Sequence, residues 1–439
     1  MASITNLART LLAKIVAFLY SVISVFSAGL PGDLTLPEVP EDFTPVVRFA
    51  VCSDVHLDGN EDSAEAERFT KLINFMYEYS SEQEYDKFDA LVCVGDMATT
   101  GYDYEYDQLN SIIDENLNKD ETQLLICTGN HEYIATRDYD ASESARLFEE
   151  KEGALDTHAV INGYHFIVAS YDDDGNSFDD KIDWMDQEIS AAVADTGDKP
   201  VFVFQHPAPF ATVYGSINWG DISIPKVLSK YNQVVDFSGH SHYPINDPRS
   251  CWQGNYTAFG CGSLSYFETE LDCIAGNFPY ENDQCAQFYI VEADAEGNVR
   301  VMPYDLITDQ FFENDYYLTD LASGDFDYTY TKMKKRDEAP VFSSKTTYSV
   351  KENEDGESIL TFTGATDNYV VESYKVSVTR DGITVAEDNF SGKYMYLFED
   401  DTYEVNLGVL QPGISYQVKI VALNAYAETS EAYTFRVTG

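Results

Sequence analysis

Between about residue 44 and residue 331, short and nearly continuous apolar runs alternate with segments whose apolar residues recur at helical spacing. The apolar runs predict buried strands, and the spaced segments predict amphipathic helices. Strands that alternate with helices are typical of an α/β domain with a largely parallel or mixed sheet. The predicted strands are VVRFAVCSD (46–54), FDALVCVGD (88–96), QLLICTGN (123–130), KPVFVFQH (199–206) and QVVDFSGH (233–240).

From about Ala339 the pattern changes to apolar and polar residues in alternation, with turn residues at short intervals and no helical segment. It predicts an all-β sandwich at 341–439, preceded by a linker at 332–340. The segment LQPGISYQVKIVALNAYAETS (410–430) places a Pro-Gly turn before a strand that carries a tyrosine. In this respect it resembles the late strands of a fibronectin type III domain.

The first 28 residues differ from the rest. Arg9 and Lys14 precede an apolar run at 15–28, which Gly29 and Pro31 then interrupt. A basic start, a short apolar centre and small residues at its end are typical of a secretory signal peptide. We therefore expect an extracellular or cell-surface protein, with an uncleaved membrane anchor as the alternative. An extended lead-in at 29–43 follows.

The chain is strongly acidic, with 76 Asp and Glu against 27 Lys and Arg and a formal net charge of −49. This balance argues against a nucleic-acid-binding surface and against anionic lipid headgroups, because both need basic patches. It also predicts that an anionic substrate meets locally fixed positive charge, which bound metal ions supply.

The seven cysteines fall into two groups. Three lie in apolar, strand-like runs, where small buried thiols are ordinary. Cys251, Cys261, Cys273 and Cys285 cluster in one region and could form disulfides outside the cell, with their connectivity open.

Polar residues follow each of the five predicted strands. Because the carboxyl ends of strands in an α/β sheet face one crevice, we expect these side chains to meet. Carboxylate and amide oxygens with imidazole nitrogens, and no thiolate, suit Zn, Mn or Fe. Seven such ligands fit two ions if one carboxylate bridges them. The seven candidate ligands are Asp54, His56, Asp96, Asn130, His206, His240 and His242, and His131 follows Asn130 at the same strand end.

The order D-x-H, G-D, G-N-H, H and G-H-x-H resembles the calcineurin-like metallophosphoesterase superfamily, over roughly 46–304. The resemblance implies a four-layer α/β sandwich at 44–331, in which two mixed β-sheets are flanked by helices. It also implies hydrolysis of a small phosphate ester at two divalent or trivalent metal ions (Mn, Fe or Zn), with a hydroxide that bridges the metals as the nucleophile.

The resemblance further implies a role for each residue. Two sets of metal ligands are expected: Asp54, His56 and His242 for one ion, Asn130, His206 and His240 for the other, with Asp96 bridging them. His131 is expected beside the leaving-group oxygen, where it donates a proton or stabilises charge.

The branch of the superfamily bears on the substrate. GDMATTGYDYEYDQL (95–109) and QHPAPFATVYGS (205–216) resemble the cyclic-nucleotide-phosphodiesterase-like branch, which favours a phosphodiester or nucleotide substrate. Glu132, after Gly-Asn-His, is frequent in the nucleotidase branch, so a phosphomonoesterase or 5′-nucleotidase-like enzyme stays open. Purple acid phosphatases are disfavoured, because Thr99 stands where they carry a ligand tyrosine.

Three residues are candidates for substrate contact: Arg137 as a phosphate clamp in a cation-poor chain, and Tyr214 and Asn218 as pocket-lining residues. A non-catalytic cell-surface binding protein on the same fold is a further alternative. The C-terminal domain could contact a cell wall, a glycan or a protein partner.

Overall fold

The computed structural model describes residues 34–136, 140–171, 177–271, 274–313, 315–397 and 400–439. The predicted signal segment at 1–28 lies outside them. The chain divides into two compact units, Met1–Glu268 with Glu281–Lys332 and Thr269–Tyr280 with Met333–Gly439. Within the described ranges, no helix is both long enough and apolar enough to cross a membrane.

The elements are numbered in chain order. The described strands are β1 (Pro45–Cys52), β2 (Ala90–Val94), β3 (Gln123–Cys127), β4 (Thr157–Ile161), β5 (Tyr164–Val168), β6 (Val201–Phe204), β7 (Val234–Ser238), β8 (Cys251–Gln253), β9 (Thr257–Gly260), β10 (Thr269–Leu271), β11 (Ile274–Asn277), β12 (Gln287–Asp294), β13 (Val299–Asp305), β14 (Gln310–Phe311), β15 (Tyr316–Leu318), β16 (Tyr348–Glu352), β17 (Ser358–Thr363), β18 (Val371–Arg380), β19 (Ile383–Ser391), β20 (Thr402–Asn406), β21 (Ser415–Asn424) and β22 (Tyr433–Thr438). The α-helices are α1 (Ala64–Ser81), α2 (Asp103–Asn116), α3 (Ser142–Lys151), α4 (Ile182–Thr196), α5 (Ser216–Trp219), α6 (Pro225–Leu228) and α7 (Tyr330–Arg336).

The first unit contains two mixed β-sheets. One has the order β14-β13-β12-β1-β2-β3, with β15 also paired to β13; β1, β2 and β3 are parallel, whereas β12 is antiparallel to β1. The other has the order β4-β5-β6-β7-β9-β8, in which β5, β6, β7 and β9 are parallel. In each sheet the parallel strands deliver their carboxyl ends to one edge.

Aromatic side chains join the two sheets face to face. Phe49 on β1 contacts Phe166, Phe202 and Phe204 of the second sheet, with ring centroids 4.9 to 6.0 Å apart. Apolar residues of α1, α2 and α4 cover the outer faces and belong to one buried core with residues of both sheets. These four layers, helix–sheet–sheet–helix, and the antiparallel second unit confirm the predicted fold class.

The second unit is an antiparallel β-sandwich of one sheet β16-β17-β20 and another β19-β18-β21-β22. Along β21 buried and exposed residues alternate, as expected for a strand with one face on a core. The β10–β11 hairpin groups with this unit, although the sequence placed it within the catalytic segment. Hydrogen bonds explain the grouping, since Thr269 and Asn277 lie 3.3 and 3.1 Å from the Ser391 hydroxyl.

The clustered cysteines are not cross-linked where the structure describes them. Cys251, Cys261 and Cys285 are free and buried, and the Cys285 thiol lies 3.0 Å from the carbonyl oxygen of Ser263. The disulfides considered among these three are therefore absent. Cys273 lies outside the described residues.

Candidate metal centre

The predicted ligands of the first sheet lie on two neighbouring loops that continue the pairing of β1 and β2. The backbone N–H of Asp54 donates to the carbonyl of Gly95 at 3.1 Å, and that of His56 donates to Asp96 at 3.0 Å. The two segments remain side by side as far as an isolated parallel β-bridge between Leu57 and Ala98. The Asp54 and Asp96 side chains therefore start from adjacent, hydrogen-bonded backbone.

Left-handed backbone is concentrated at these loops. Such a conformation costs a non-glycine residue about 1–3 kcal/mol. Here it turns successive side chains toward one point beyond the strand ends. The five residues are Asp54 (φ 54°), His56 (φ 57°), Asp96 (φ 52°), His240 (φ 69°) and His242 (φ 57°).

Two glycines of the motifs are required by close approach. A Cβ on Gly129 would lie 2.1 Å from Asp96 Oδ1, and one on Gly239 would lie 1.7 Å from the Ser53 hydroxyl oxygen. Real Cβ atoms do not tolerate such contacts. Glycine thus lets the Asn130 and His240 loops press against the carboxylates of Asp54 and Asp96.

The structure brings the acidic and histidine ligands into two groups. Asp54, His56, Asp96 and His242 form one, and Asp96, His206 and His240 form the other, so Asp96 belongs to both. In the first group His242 Nε2 lies 3.0 Å from Asp54 Oδ1 and 3.3 Å from His56 Nε2. In the second, His206 Nε2 lies 3.1 Å from Asp96 Oδ2.

Backbone carbonyls orient two of the imidazoles. The Nδ1 atoms of His206 and His242 lie 2.8 Å and 3.0 Å from the carbonyl oxygens of Val94 and Tyr266. An N–H donated from Nδ1 leaves the Nε2 lone pair directed at the carboxylates, and metal-binding histidines are commonly held in this way.

Burial and the mutual charges shift the titration of the cluster. Burial, together with His242, lowers the pKa of His56 to about 3, and burial with the nearby His206 lowers that of His240 to about 4. Burial alone would raise the pKa of Asp54, but the attraction of His242 lowers it to about 2. His206 is opposed by burial, yet Asp96 raises its pKa to about 9. The ionised Asp54 carboxylate beside the neutral imidazoles of His56 and His240 forms a donor set for cations, whereas His206 would release its proton when a cation binds.

Asn130 and His131 lie on the loop after β3, which contacts Asp96 and His56. The backbone N–H of His131 donates to Asp96 Oδ1 at 2.8 Å, which holds the loop against the shared carboxylate. The His131 ring lies edge-on to His56, with centroids 4.4 Å apart, and its Nδ1 is 2.7 Å from the carbonyl oxygen of Thr99. The Oδ1 atom of Asn130 is buried.

The residues present fit a pair of metal ions. Asp54 Oδ1 and His206 Nε2 are buried and make no hydrogen bond of acceptable geometry, although each has a polar neighbour at about 3 Å. Buried polar atoms left in this state are costly. One cation in each donor group would satisfy these two atoms, and the oxygen and imidazole donors suit Zn, Mn or Fe.

The structure describes two of the three residues that were predicted to contact the substrate. Tyr214 is buried, with its ring 3.6 Å from the Arg249 guanidinium and 4.4 Å from the Tyr243 ring. Asn218 is exposed on α5, next to Trp219, whose ring meets His240 at 5.6 Å. Arg137 lies outside the described residues.

Glu132 has a part in the site that the sequence did not reveal. Its buried carboxylate accepts backbone N–H groups of Ala98 at 2.9 Å, Asp96 at 3.1 Å and Gly129 at 2.5 Å. It therefore fastens the Asp96 loop to the Asn130 loop. Burial, reinforced by Asp96, raises its pKa to about 7.

Tyr266 is a second residue that the sequence did not single out. Its ring stacks on His242 with centroids 4.0 Å apart, and its carbonyl orients that histidine. Tyr266 follows β9, a sixth parallel strand end of only four residues. The apolar run YTAFG before Cys-Gly-Ser was the signal for it.

Comparison with known proteins agrees with the geometry. Residues 47–244 match the family model of the calcineurin-like phosphoesterases. This segment is a calcineurin-like phosphoesterase domain. The matched range contains every predicted metal ligand of the phosphoesterase domain, and metal-dependent hydrolysis of phosphate esters is the activity that membership implies. No curated protein sequence matches the chain.

Solved structures show distant similarity only. The purple acid phosphatase PPD1 from yellow lupin (Lupinus luteus) seeds is 13% identical over 62% of this chain and 53% of its own, with a TM-score of 0.44. PhoD is 11% identical over 65% of this chain and 70% of its own, with a TM-score of 0.36. The chain thus spans about half of the lupin enzyme. The FN1-FN3 domains of chicken CNTN1 are 14% identical over 34% of this chain and 46% of their own, with a TM-score of 0.17. These scores are too low to extend the phosphoesterase assignment or to place the second unit in a family.

Proposed function

We propose that the chain is an exported enzyme that hydrolyses a phosphodiester or nucleotide-type phosphate ester at a two-metal centre. The observation that carries the proposal is the pair of buried donor groups that share Asp96, within a segment that matches the calcineurin-like phosphoesterases. In a chain of this acidity, two bound metal ions would supply the positive charge that an anionic ester needs.

When bound, two ions would attract the phosphate group and activate a water molecule for attack on phosphorus. Asp54, His56 and His242 would hold one ion, and Asn130, His206 and His240 the other. Asp96 would contact both. Tyr266 borders the centre through its contact with His242, and Trp219 borders it through its contact with His240.

His131 is the group that would serve the leaving oxygen. Its Nδ1 faces the Thr99 carbonyl at 2.7 Å, so Nε2 is the nitrogen left to hand over a proton. Its ring borders His56, which places it beside the first group of ligands. A positioned acid of this kind typically contributes about 10²–10⁴-fold in rate.

A metal analysis joined to a substrate comparison tests the proposal. The full chain would be purified, reconstituted with Mn, Fe or Zn, and assayed on bis(p-nitrophenyl) phosphate and p-nitrophenyl phosphate. We expect about two metal ions per chain and faster hydrolysis of the diester. Preference for the monoester would favour the nucleotidase-like alternative that Glu132 suggested. If the chain binds no metal and hydrolyses neither ester, the alternative of a non-catalytic binding protein is favoured.

Export is supported by the amino-terminal pattern alone, a basic start followed by the apolar run at 15–28. Fractionation of expressing cells and N-terminal sequencing of the mature protein test it. A mature chain that begins shortly after residue 28 supports export with cleavage. An intact N-terminus in the membrane fraction indicates the anchor.

A further inference from the structure

Five of the nine exposed large apolar side chains described in the first unit lie on segments that follow metal-ligand positions or His131; the others are Leu34, Val160, Phe311 and Tyr330. One subset follows Asp96, one follows His131 and one follows His206. Large exposed apolar groups near a site are a common mark of ligand contact. The five side chains are Tyr102 (48% exposed), Tyr104 (52%), Ile134 (38%), Ile217 (39%) and Ile222 (67%).

Tyr102 and Tyr104 form an ordered pair within this set. Their rings stack with centroids 5.6 Å apart and an interplanar angle of 17°. A Cβ on Gly59 would lie 2.3 Å from the Tyr104 ring, so this ring rests against the Gly59 backbone. Packing accounts for that contact but leaves about half of each side chain in water.

The backbone beneath the pair is fixed. Glu105 accepts the backbone N–H groups of Thr100, Gly101 and Tyr102 at 2.7 to 3.0 Å, which anchors the start of α2. The carbonyl of Thr100 accepts the N–H of Ala135 at 2.9 Å, which ties this stretch to the His131 loop. A platform on such a base needs little ordering when a ligand binds.

The pair adjoins, along the chain and by contact, loops that carry residues of the metal centre. Tyr102 follows Thr99 by three residues, and the carbonyl of Thr99 contacts the His131 ring at 2.7 Å. Gly59, under Tyr104, follows His56 by three residues. Three residues span at most about 11 Å. The Cα atoms of Tyr102 and Gly59 therefore lie within about 11 Å of those of Thr99 and His56, and a substrate with a ring beyond its phosphate group could extend between the two places.

We propose that Tyr102 and Tyr104 form a stacking platform for the aromatic ring of the substrate, a phosphate ester that carries a nucleobase or a similar neutral ring. The proposal rests on the proposed function and names the part of the substrate that lies away from phosphorus. A neutral ring suits the place, because Asp58 and Asp103 lie on the same two loops and Asp103 is largely exposed.

Binding of two non-hydrolysable probes tests the platform. They are the methylenephosphonate analogues of adenosine 5′-phosphate and of ribose 5-phosphate, which differ by the base. Isothermal titration of the metal-loaded full chain should show that the adenosine probe binds more tightly. The preference for the base is the dissociation constant of the ribose probe divided by that of the adenosine probe. In Tyr102→Ala/Tyr104→Ala this ratio should fall about 5- to 100-fold, the range measured for loss of one stacked base.

Two controls keep the result interpretable. Tyr330→Ala removes another exposed tyrosine, 46% exposed, and should leave the ratio unchanged. Tyr104→Phe keeps the ring on Gly59 and should retain the preference for the base, even if the alanine variants fold poorly. Equal binding of the two probes by the wild-type chain, or a preference that survives in the double variant, overturns the platform.

The outcomes also separate the platform from the proposed function. A chain that prefers the adenosine probe but hydrolyses no phosphate ester keeps the platform and loses the enzyme. A chain that turns over esters without preference for the base keeps the enzyme and loses the platform.

Discussion

The two units bury different kinds of side chain. The first buries many ionisable groups, and its metal centre is a concentration of them, with Asp54 and His206 at 0% exposure, Asp96 at 1% and His242 at 3%. The second is built on an apolar core, and none of its described Asp, Glu, Lys, Arg or His residues is buried. Burial of unpaired charge costs free energy unless it is compensated. The contrast indicates that the first unit gives up stability at its centre for the ability to hold cations.

Left-handed backbone shows the same contrast. In the second unit Asp381 (φ 51°) and Ala427 (φ 62°) adopt it in the turns that join β18 to β19 and β21 to β22. There the conformation reverses the chain. In the first unit it also occurs in turns, at Asn162 between β4 and β5 and at Asp309 between β13 and β14. At the metal centre, however, the same conformation directs ligand side chains, so it serves chemistry there as well as folding.

The largest expected effect comes from Asp96→Asn. It removes the charge shared by both donor groups, so we expect loss of at least one metal ion and a fall in activity of at least about 100-fold, more than outer-shell changes usually cause. Elemental analysis and initial rates measure both. The matched control is Asp381→Asn, the same change at an exposed left-handed residue of the second unit. Full metal content and undiminished rate in the Asp96 variant would contradict the two-metal assignment.

His131→Ala should act on rate alone. We expect turnover to slow by about 10²–10⁴-fold, because the positioned proton donor is lost, while both metals stay bound. Metal content and kcat measured on the same sample separate these effects. A variant that loses metal would instead identify His131 as a ligand.

Gly129→Ala tests whether close approach sets the geometry. Its Cβ would meet Asp96 Oδ1 at 2.1 Å, so the carboxylate must move, and we expect weaker metal binding and a loss of about 1–3 kcal/mol in the free energy of unfolding. Gly260→Ala is the control, since its Cβ would meet Val213 at an ordinary 3.6 Å. Similar metal affinity in the two variants would show that the loop adapts.

The smallest effect concerns pH and Glu152. Burial raises the pKa of this carboxyl from 4.5 to about 7, and a hydrogen bond from Asn110 opposes the rise. An acid whose pKa rises on folding is held more tightly as the protonated form. Its contribution to stability is therefore full below pH 4.5 and is lost as pH rises to about 7. Glu152→Gln should match the wild type at low pH and exceed it by at most about 3 kcal/mol above pH 7. Denaturant unfolding between pH 4.5 and 8 measures the difference, and a constant difference would refute it.

Much of the first unit could be predicted because its strands are nearly continuous apolar runs that end in chemically distinctive residues. The runs at 46–54 and 88–96 correspond to β1 and β2, and their ends deliver Asp54 and Asp96 to neighbouring loops. That Asp96 belongs to both donor groups could be predicted from the number of candidate ligands and from the family resemblance. The specific ligand of each ion, and the role of His131, stay predictions.

Other features left weak signals in the sequence. The left-handed turn at His240 depends on the Asp54 side chain 186 residues earlier, since the N–H of His240 donates to Asp54 Oδ2. Helix α3 and strand β19 were not predicted, because α3 is short and polar and β19 is an edge strand with mostly exposed residues. The clamp by Glu132 depends on three backbone groups, which no residue pattern reports.

At the left-handed residues of the metal centre, a substitution that stabilises the fold would remove a group that the chemistry needs. Glycine adopts this conformation without a steric penalty, so glycine at position 54, 56, 96, 240 or 242 would relax the backbone while removing a ligand. Random mutation under pressure for heat resistance alone should therefore erode the centre at these positions first. A relative with this fold and several glycines there would be expected to have kept the architecture after its reaction was abandoned.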